Sequence, residues 1–173
     1  MIKLGGLRYV GLPIFMDTFL VGFDRRFLLI DARSRELISK LTDTTLYKRP
    51  RDTRVEMAPF SCGEYILRSA AMVEKTFGGI TTRLWDDPFE WTLPEKLSDR
   101  GSVLNYLDEV EATRKKGFAF FNSDDDLKRE IPAPEKLRTI FDILLETTGL
   151  AEHFQGRAFA IFQVLTDEPL PRL

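Results

Sequence analysis

The chain carries one histidine, His153, within Glu152-His153-Phe154-Gln155-Gly156-Arg157, on the last and longest helical pattern. Beside Glu152 it could serve as a general base if a partner in space moved its pKa toward working pH. The favoured reading is that it flanks the core and hydrogen-bonds a neighbouring helix. The one cysteine, Cys62, falls in the first turn of a predicted helix, where the amide dipoles favour a thiolate. It also continues that helix's apolar line, which favours a buried, inert thiol. Arg68 could receive an anion through its guanidinium, though such side chains more often snorkel to the surface. Asp124-Asp125-Asp126 invites a calcium reading but lacks the spacing, central glycine and terminal glutamate of an EF-hand. It reads as a solvated turn with N-cap character. Ser-His-Asp sets, Gly-rich phosphate loops, and metalloprotease or zinc-finger spacings are absent from the sequence.

These residues need a scaffold, and the chain of 173 residues suits one domain, long enough to bury roughly 70% of its unfolded surface. A net charge of −2 with both signs interspersed gives no basic stripe, which excludes nucleic-acid partners from the expectations. A single cysteine permits no intramolecular disulfide and fits a reducing cytoplasm. No run reaches the roughly 18 apolar residues of a membrane span, so no membrane partner is expected. Residues 1–15, rich in Gly and apolar residues, differ in composition from the rest of the chain; they read as an extension, with Met16 as an alternative start.

Four segments carry helical periodicity. The first runs from Asp17 to Leu41, with Phe23, Phe27, Ile30, Leu37 and Leu41 on one side and a solvated face of arginines on the other. A polar loop over Tyr47 to Pro59 comes next. Ser61, with Glu64 three residues on, predicts a capping box for the second helix. Its apolar line passes through Cys62, Ile66, Ser69, Ala70, Val73 and Phe77, and Gly78-Gly79 is expected to end it. Ile80 to Leu97 reads as a long connection in which Trp85 and Trp91 either pin the loop onto the core, the favoured reading, or wall a pocket. The third helix is expected from a Ser102 cap to about Phe121, carrying Leu104, Leu107, Val110 and Phe118. Ile131-Pro132-Ala133-Pro134 keeps the chain extended. Thr139 caps the fourth helix, whose stripe is Ile140, Leu144, Thr147, Ala151, Phe154, Ala158, Ile161 and Leu165. Strand alternation is lacking, and the fold class is all-α.

From Met16 to Leu165 the order of these features resembles the DinB/YfiT-like family of four-helix bundles. The likeness is carried by Ser61-Cys62-Gly63-Glu64-Tyr65-Ile66-Leu67 opening helix two, Thr139-Ile140-Phe141-Asp142-Ile143-Leu144-Leu145 opening helix four, and Gly156-Arg157-Ala158-Phe159 further along. At that last site the family pattern is a His, three residues, a second His, then Arg-Gly-Gln. The resemblance implies a bundle domain over residues 16–173 with a long connection between helices two and three, a homodimer, and a damage-inducible family. It also implies a divalent metal held by the two helix-four histidines and one from helix two. Carried over position by position, the helix-four ligands become Leu150 and Phe154. The helix-two ligand falls on Arg68 by gapless counting, or on Ser69 by helical phase. His153 is one residue off a ligand position, about 100° around the helix.

The pattern is therefore degenerate. Imidazoles in a core are costly to desolvate without a metal, whereas a buried leucine or phenylalanine gains roughly 1.5–3 kcal/mol. A substitute metal set of Glu146, Glu152 and His153 shares no single face with the family's pocket. The expected function is a binding or stress-associated accessory protein with no metal or other cofactor. Two alternatives stand beside it. One is a transferase or isomerase that uses a low-molecular-weight thiol with an altered metal requirement. The other is a small-ligand carrier whose remnant pocket is formed by Arg68, Ser69, Leu150, His153 and Phe154.

Overall fold

A computed structural model describes residues 18–50, 60–88 and 91–172 of the chain. Its helices are α1 (Thr18–Lys40), α2 (Asp43–Leu46), α3 (Cys62–Thr82), α4 (Arg100–Phe118) and α5 (Ile140–Leu165). Strands β1 (Glu130–Pro132) and β2 (Leu137–Thr139) form an antiparallel hairpin with Ile131 opposite Arg138. The four long helices, α1, α3, α4 and α5, are those the periodicity predicts, and among the described residues the fold is all-α apart from that hairpin. Asp17, Met16 and the extension 1–15 lie outside the described residues, as do residues 51–59 of the polar loop.

The caps explain where the helices begin. The Ser61 hydroxyl accepts the Glu64 N–H at 3.2 Å, and the Glu64 carboxylate accepts the Ser61 N–H at 2.8 Å, completing the expected box. Thr139 accepts the Asp142 N–H at 3.1 Å. The start of α4 differs from expectation: Asp99 caps it, accepting the Ser102 N–H at 2.9 Å, while Ser102 donates its hydroxyl back to Asp99 at 3.0 Å. A carboxylate caps as well as a hydroxyl and adds a favourable charge at the positive helix end. The Asp-rich stretch forms a 3-10 turn (Asp124–Lys128) in which Asp124 accepts the Phe19 and Leu20 N–H groups at 3.1 and 2.9 Å. One acid from a distant turn thus satisfies two orphan donors of α1.

Side-chain contacts fix the helix directions. Phe23 meets Phe141 near the starts of α1 and α5, with ring centroids 5.6 Å apart, and Gln155 donates to the Ile30 carbonyl further along both. Those two helices are parallel. Along α3 and α5 the pairs Cys62–Ala158, Ser69–Ala151 and Thr76–Thr147 run in opposite senses. Arg100 reaches the Leu41 carbonyl, Arg35 pairs with Asp108, and Arg114 pairs with Asp24, so α4 opposes α1. Hence α3 and α4, which pack against each other, point the same way.

The expected apolar lines are largely buried: Phe27, Ile30, Leu37 and Leu41; then Cys62, Ile66, Ser69, Ala70, Val73 and Phe77. On α5, Ile140, Leu144, Thr147, Ala151 and Ala158 are buried, but Phe154, Ile161 and Leu165 are only half-buried. Gln155, Phe159 and Phe162 are buried as well, because α5 packs on α3 at one side and α1 at the other. The interface of α1 with α4 holds an ionic knot: Arg114, 3% exposed, pairs with Asp24 and Glu111 and lies over the Phe118 ring.

Gly78-Gly79 does not end α3, which runs on to Thr82 and stops at Arg83 in the left-handed region (φ 64°). Glycine weakens a helix by about 1 kcal/mol without forbidding it. Here Gly79 makes room: a Cβ on it would overlap the Trp85 ring. Of the two tryptophans expected to pin the connection, Trp85 does so, half-buried and donating to the Pro132 carbonyl at 3.0 Å. Trp91 is 43% exposed and reaches Glu74 at 3.4 Å.

Gly79→Ala supplies a test whose sign is diagnostic. Helix propensity alone would stabilise the protein by up to about 1 kcal/mol, but overpacking against Trp85 should cost about 1–3 kcal/mol. Urea denaturation should show net destabilisation with a red-shifted tryptophan emission; a more stable variant would refute the wedge.

Candidate functional site

Where the hairpin and Trp85 overhang α3 and α5, the two helices enclose a two-part cleft. An inner chamber of about 190 Å³ is walled by Met72, Trp85, Ile143 and Leu150, with Thr76 and Thr147 among its polar residues. An outer groove of about 710 Å³ continues past Glu130, Leu137 and Asp142. Lys75, Ala133, Pro134, Arg138 and Glu146 line both parts and so mark the junction.

Each element contributes for a local reason. Residues 72, 75 and 76 recur at helical spacing on one side of α3, and 143, 146, 147 and 150 do the same on α5. The hairpin brings Arg138 over the first turns of α5, where it pairs with Glu146 and donates to the Asp142 carbonyl at 3.3 Å. Buried Thr147 donates its hydroxyl to Ile143 O at 2.7 Å, one turn back in its own helix. Its proton being spent, Thr76 must be the donor in the 2.7 Å contact between the two hydroxyls. The Thr76 oxygen therefore keeps free lone pairs. Lys75 lies 3.6 Å from Asp87, a loose pair whose acid is 64% exposed.

The residues singled out in the sequence are dispersed. Leu150 is 39% exposed and lines the inner chamber. Ser69 is buried and donates to the Ala151 carbonyl at 2.8 Å. The crevice beside Ser69, reaching Phe27, Ser34 and Leu107, measures about 20 Å³, scarcely one water. Arg68 is half-buried, with its guanidinium 4.1 Å from the centre of the Phe60 ring. His153 is exposed on α5, its ring edge against half-buried Phe154. Thus Leu150 belongs to the cleft, while Arg68, Ser69, His153 and Phe154 lie outside it. Glu152 and Glu146 are engaged separately, by Arg26 and Arg138.

The metal implied by the family resemblance finds no matching donors. Of Leu150, Phe154, Arg68 and Ser69, only Ser69 offers a neutral oxygen, and its proton is committed to Ala151. Among the described residues no group of three or more His, Cys, Asp or Glu side chains is placed to hold a metal ion. No helix among them is long and apolar enough to cross a membrane.

Cys62 is fully buried, with its sulfur 3.4 Å from the Ala158 carbonyl. Burial pushes the thiol up to about 12, and the hydrogen bond from its own backbone N–H opposes this only weakly. The dipole argument for a thiolate therefore loses to desolvation. Glu64 shows the opposite balance: burial raises it, but hydrogen bonds from Ser61 and Arg49 outweigh that and hold it below the usual carboxylate range.

No protein-family model, curated protein or solved structure matches the chain. The cleft residues that sequence reasoning misses are chiefly Met72, Lys75, Thr76 and Arg138; Trp85 walls the chamber, the less favoured of its two readings. One signal is present: Thr147 stands on an otherwise apolar stripe, and a hydroxyl there needs a partner. The hairpin that completes the roof has no signal beyond the prolines.

The Cys62 thiol should react with a disulfide reagent only as fast as the protein unfolds, at any pH up to about 9. Since its folded pKa is raised, its contribution to stability is intact below the unfolded value and is lost as pH climbs from about 9 toward 12. Rapid stoichiometric labelling of the native protein at pH 8 would contradict this.

Proposed function

We propose that this chain is a DinB/YfiT-like four-helix bundle that works without a metal as a binding protein, holding a small molecule between α3 and α5. The observation that carries this reading is the inner chamber. It has apolar walls, a few convergent polar groups and an open approach, the general character of small-molecule sites. Together with the outer groove it offers enough room for a metabolite-sized ligand.

Support for the family comes from the order of parts. Both capping motifs quoted for the resemblance stand at the starts of α3 and α5. The long connection lies between α3 and α4, where the family places it between its second and third helices. The homodimer and the stress-associated role rest on the resemblance alone. A carrier function fits the cleft, displaced about two helical turns along α3 from the Ser69 position. A thiol-dependent transferase gains nothing from Cys62, whose sulfur is sealed in the core.

The test is a thermal-shift screen with a chemically mixed panel that includes low-molecular-weight thiols, run on the natural protein and on Leu150→Trp. Leu150 is exposed enough for the larger ring to fill the chamber without entering the core. Saturable rises of several degrees, expected near 100-fold excess over Kd, should disappear in the variant. Plasma mass spectrometry of the same samples should find substoichiometric zinc, nickel and iron. A full equivalent of metal, or shifts confined to thiols and unchanged by Leu150→Trp, would overturn the proposal.

A further inference from the structure

Resting on the binding role just proposed, we infer that the cleft selects a small monocarboxylate with an apolar or aromatic body. Its body occupies the inner chamber and its carboxylate sits at the junction between Lys75 and Arg138.

The two parts of the cleft differ in charge. The charged side chains lining the inner chamber are Lys75, Arg138 and Glu146, a surplus of one positive charge. The outer groove adds Lys136 but also Glu130, Glu135 and Asp142, which makes its rim acidic. The acidic groove and the apolar chamber meet at Lys75 and Arg138, and exposed Leu150 opens the chamber to solvent as well. Asp87, 3.6 Å from Lys75 and 64% exposed, offsets the surplus positive charge only loosely, and a ligand carboxylate at the junction would take its place. A dianion or polyanion would lie too close to Glu146 and the rim carboxylates to be compensated.

The cations are disposed to accept a carboxylate. Arg138 spends one nitrogen on Glu146 and another on the Asp142 carbonyl, the latter at a long 3.3 Å, so part of its planar fork remains open. Among the described residues the Lys75 ammonium is held only by the loose 3.6 Å contact with exposed Asp87. Behind them Met72, Trp85, Ile143 and Leu150 present no charge. A chamber of about 190 Å³ admits a single substituted ring or a short branched chain. At the inner end Thr76 offers lone pairs and no proton, since its own proton goes to Thr147. A hydroxyl or amine on the far end of the body would find an acceptor there.

Trp85 makes the inference directly readable, because it walls the chamber whereas Trp91 does not. In a Trp91→Phe background, fluorescence titration at pH 7.5 compares phenylacetate with its amide, with phenethylamine and with phenyl phosphate. Phenylacetate should bind tightest, by about tenfold over the neutral amide, as expected for charge-assisted contacts. Lys75→Gln and Arg138→Gln should each remove most of that advantage while leaving amide binding unchanged. Glu146→Gln should strengthen phenylacetate binding by releasing Arg138. Lys75 has no tight partner among the described residues, so its variant keeps the test valid should Arg138→Gln disturb the hairpin. Equal binding of all four probes, preference for the amine, or tighter binding of phenyl phosphate would overturn the carboxylate inference and leave the cleft reading standing. No quenching by any probe also overturns the inference. In that case, Leu150→Trp-sensitive shifts in the wider screen would still support the cleft, and their absence would defeat both.

Discussion

Two neighbouring helices that point the same way impose a return journey on the chain between them. A helix as long as α3 spans about 31 Å, so residues 83–99 must travel back over that distance before α4 can begin. The connection is tied down along its route: Trp85 to Gly79 and Pro132 at one end, Trp91 to Glu74 midway, and Leu97 to the Tyr47 hydroxyl at the other. Arg100 then locks the start of α4 to Asp43 and Leu41. Glu74 is also bonded by the Tyr106 hydroxyl at 2.5 Å, which joins the connection to both helices it links. Each tie offsets part of the entropy lost in ordering so long a segment.

The cleft is a consequence of this path. The chain leaves α3 and re-enters α5 at the same end of the molecule, so Trp85 and the β1–β2 hairpin meet there. Their meeting roofs the hollow beside the Thr76–Thr147 contact, where two short side chains touch through their hydroxyls. The interior deeper in behaves differently. Ser69, Cys62 and Gln155 each spend their polar groups on the backbone or side chain of a facing helix. The protons of these three side chains are committed within the bundle and are not offered to a ligand.

Helices are legible in the sequence because their signals are local. Periodic apolar residues and the caps at Ser61 and Thr139 act over three to seven positions, and the structure keeps both. The misjudged boundaries are those where a tertiary contact overrides the local signal. Gly78-Gly79 looks like a stop until Trp85 needs the space above it. Asp124 looks like a solvated acid until it caps α1 from across the fold. The hairpin joins two three-residue strands, too short for alternation to register. The cleft is illegible for a further reason: a long stretch of sequence separates its α3 and Trp85 walls from the hairpin and α5, and only Thr147 breaks a pattern.

On the proposed family, Leu150 and Phe154 stand where imidazoles would, and their surroundings differ. Phe154 is half-buried against the core, so hydrophobic burial accounts for much of its presence. Leu150 keeps 39% of its surface in solvent and faces the chamber. That part of its apolar area is not removed from water by folding, and at roughly 25 cal/mol per Å² the remaining gain is realised only if something covers it. A histidine at that position would offer a lone pair to an ion; a leucine offers contact to a carbon skeleton. On the proposed family and binding role, a point on α5 that would coordinate a cation contacts the apolar body of an acid instead, and the charge that meets the ligand comes from Lys75 and Arg138.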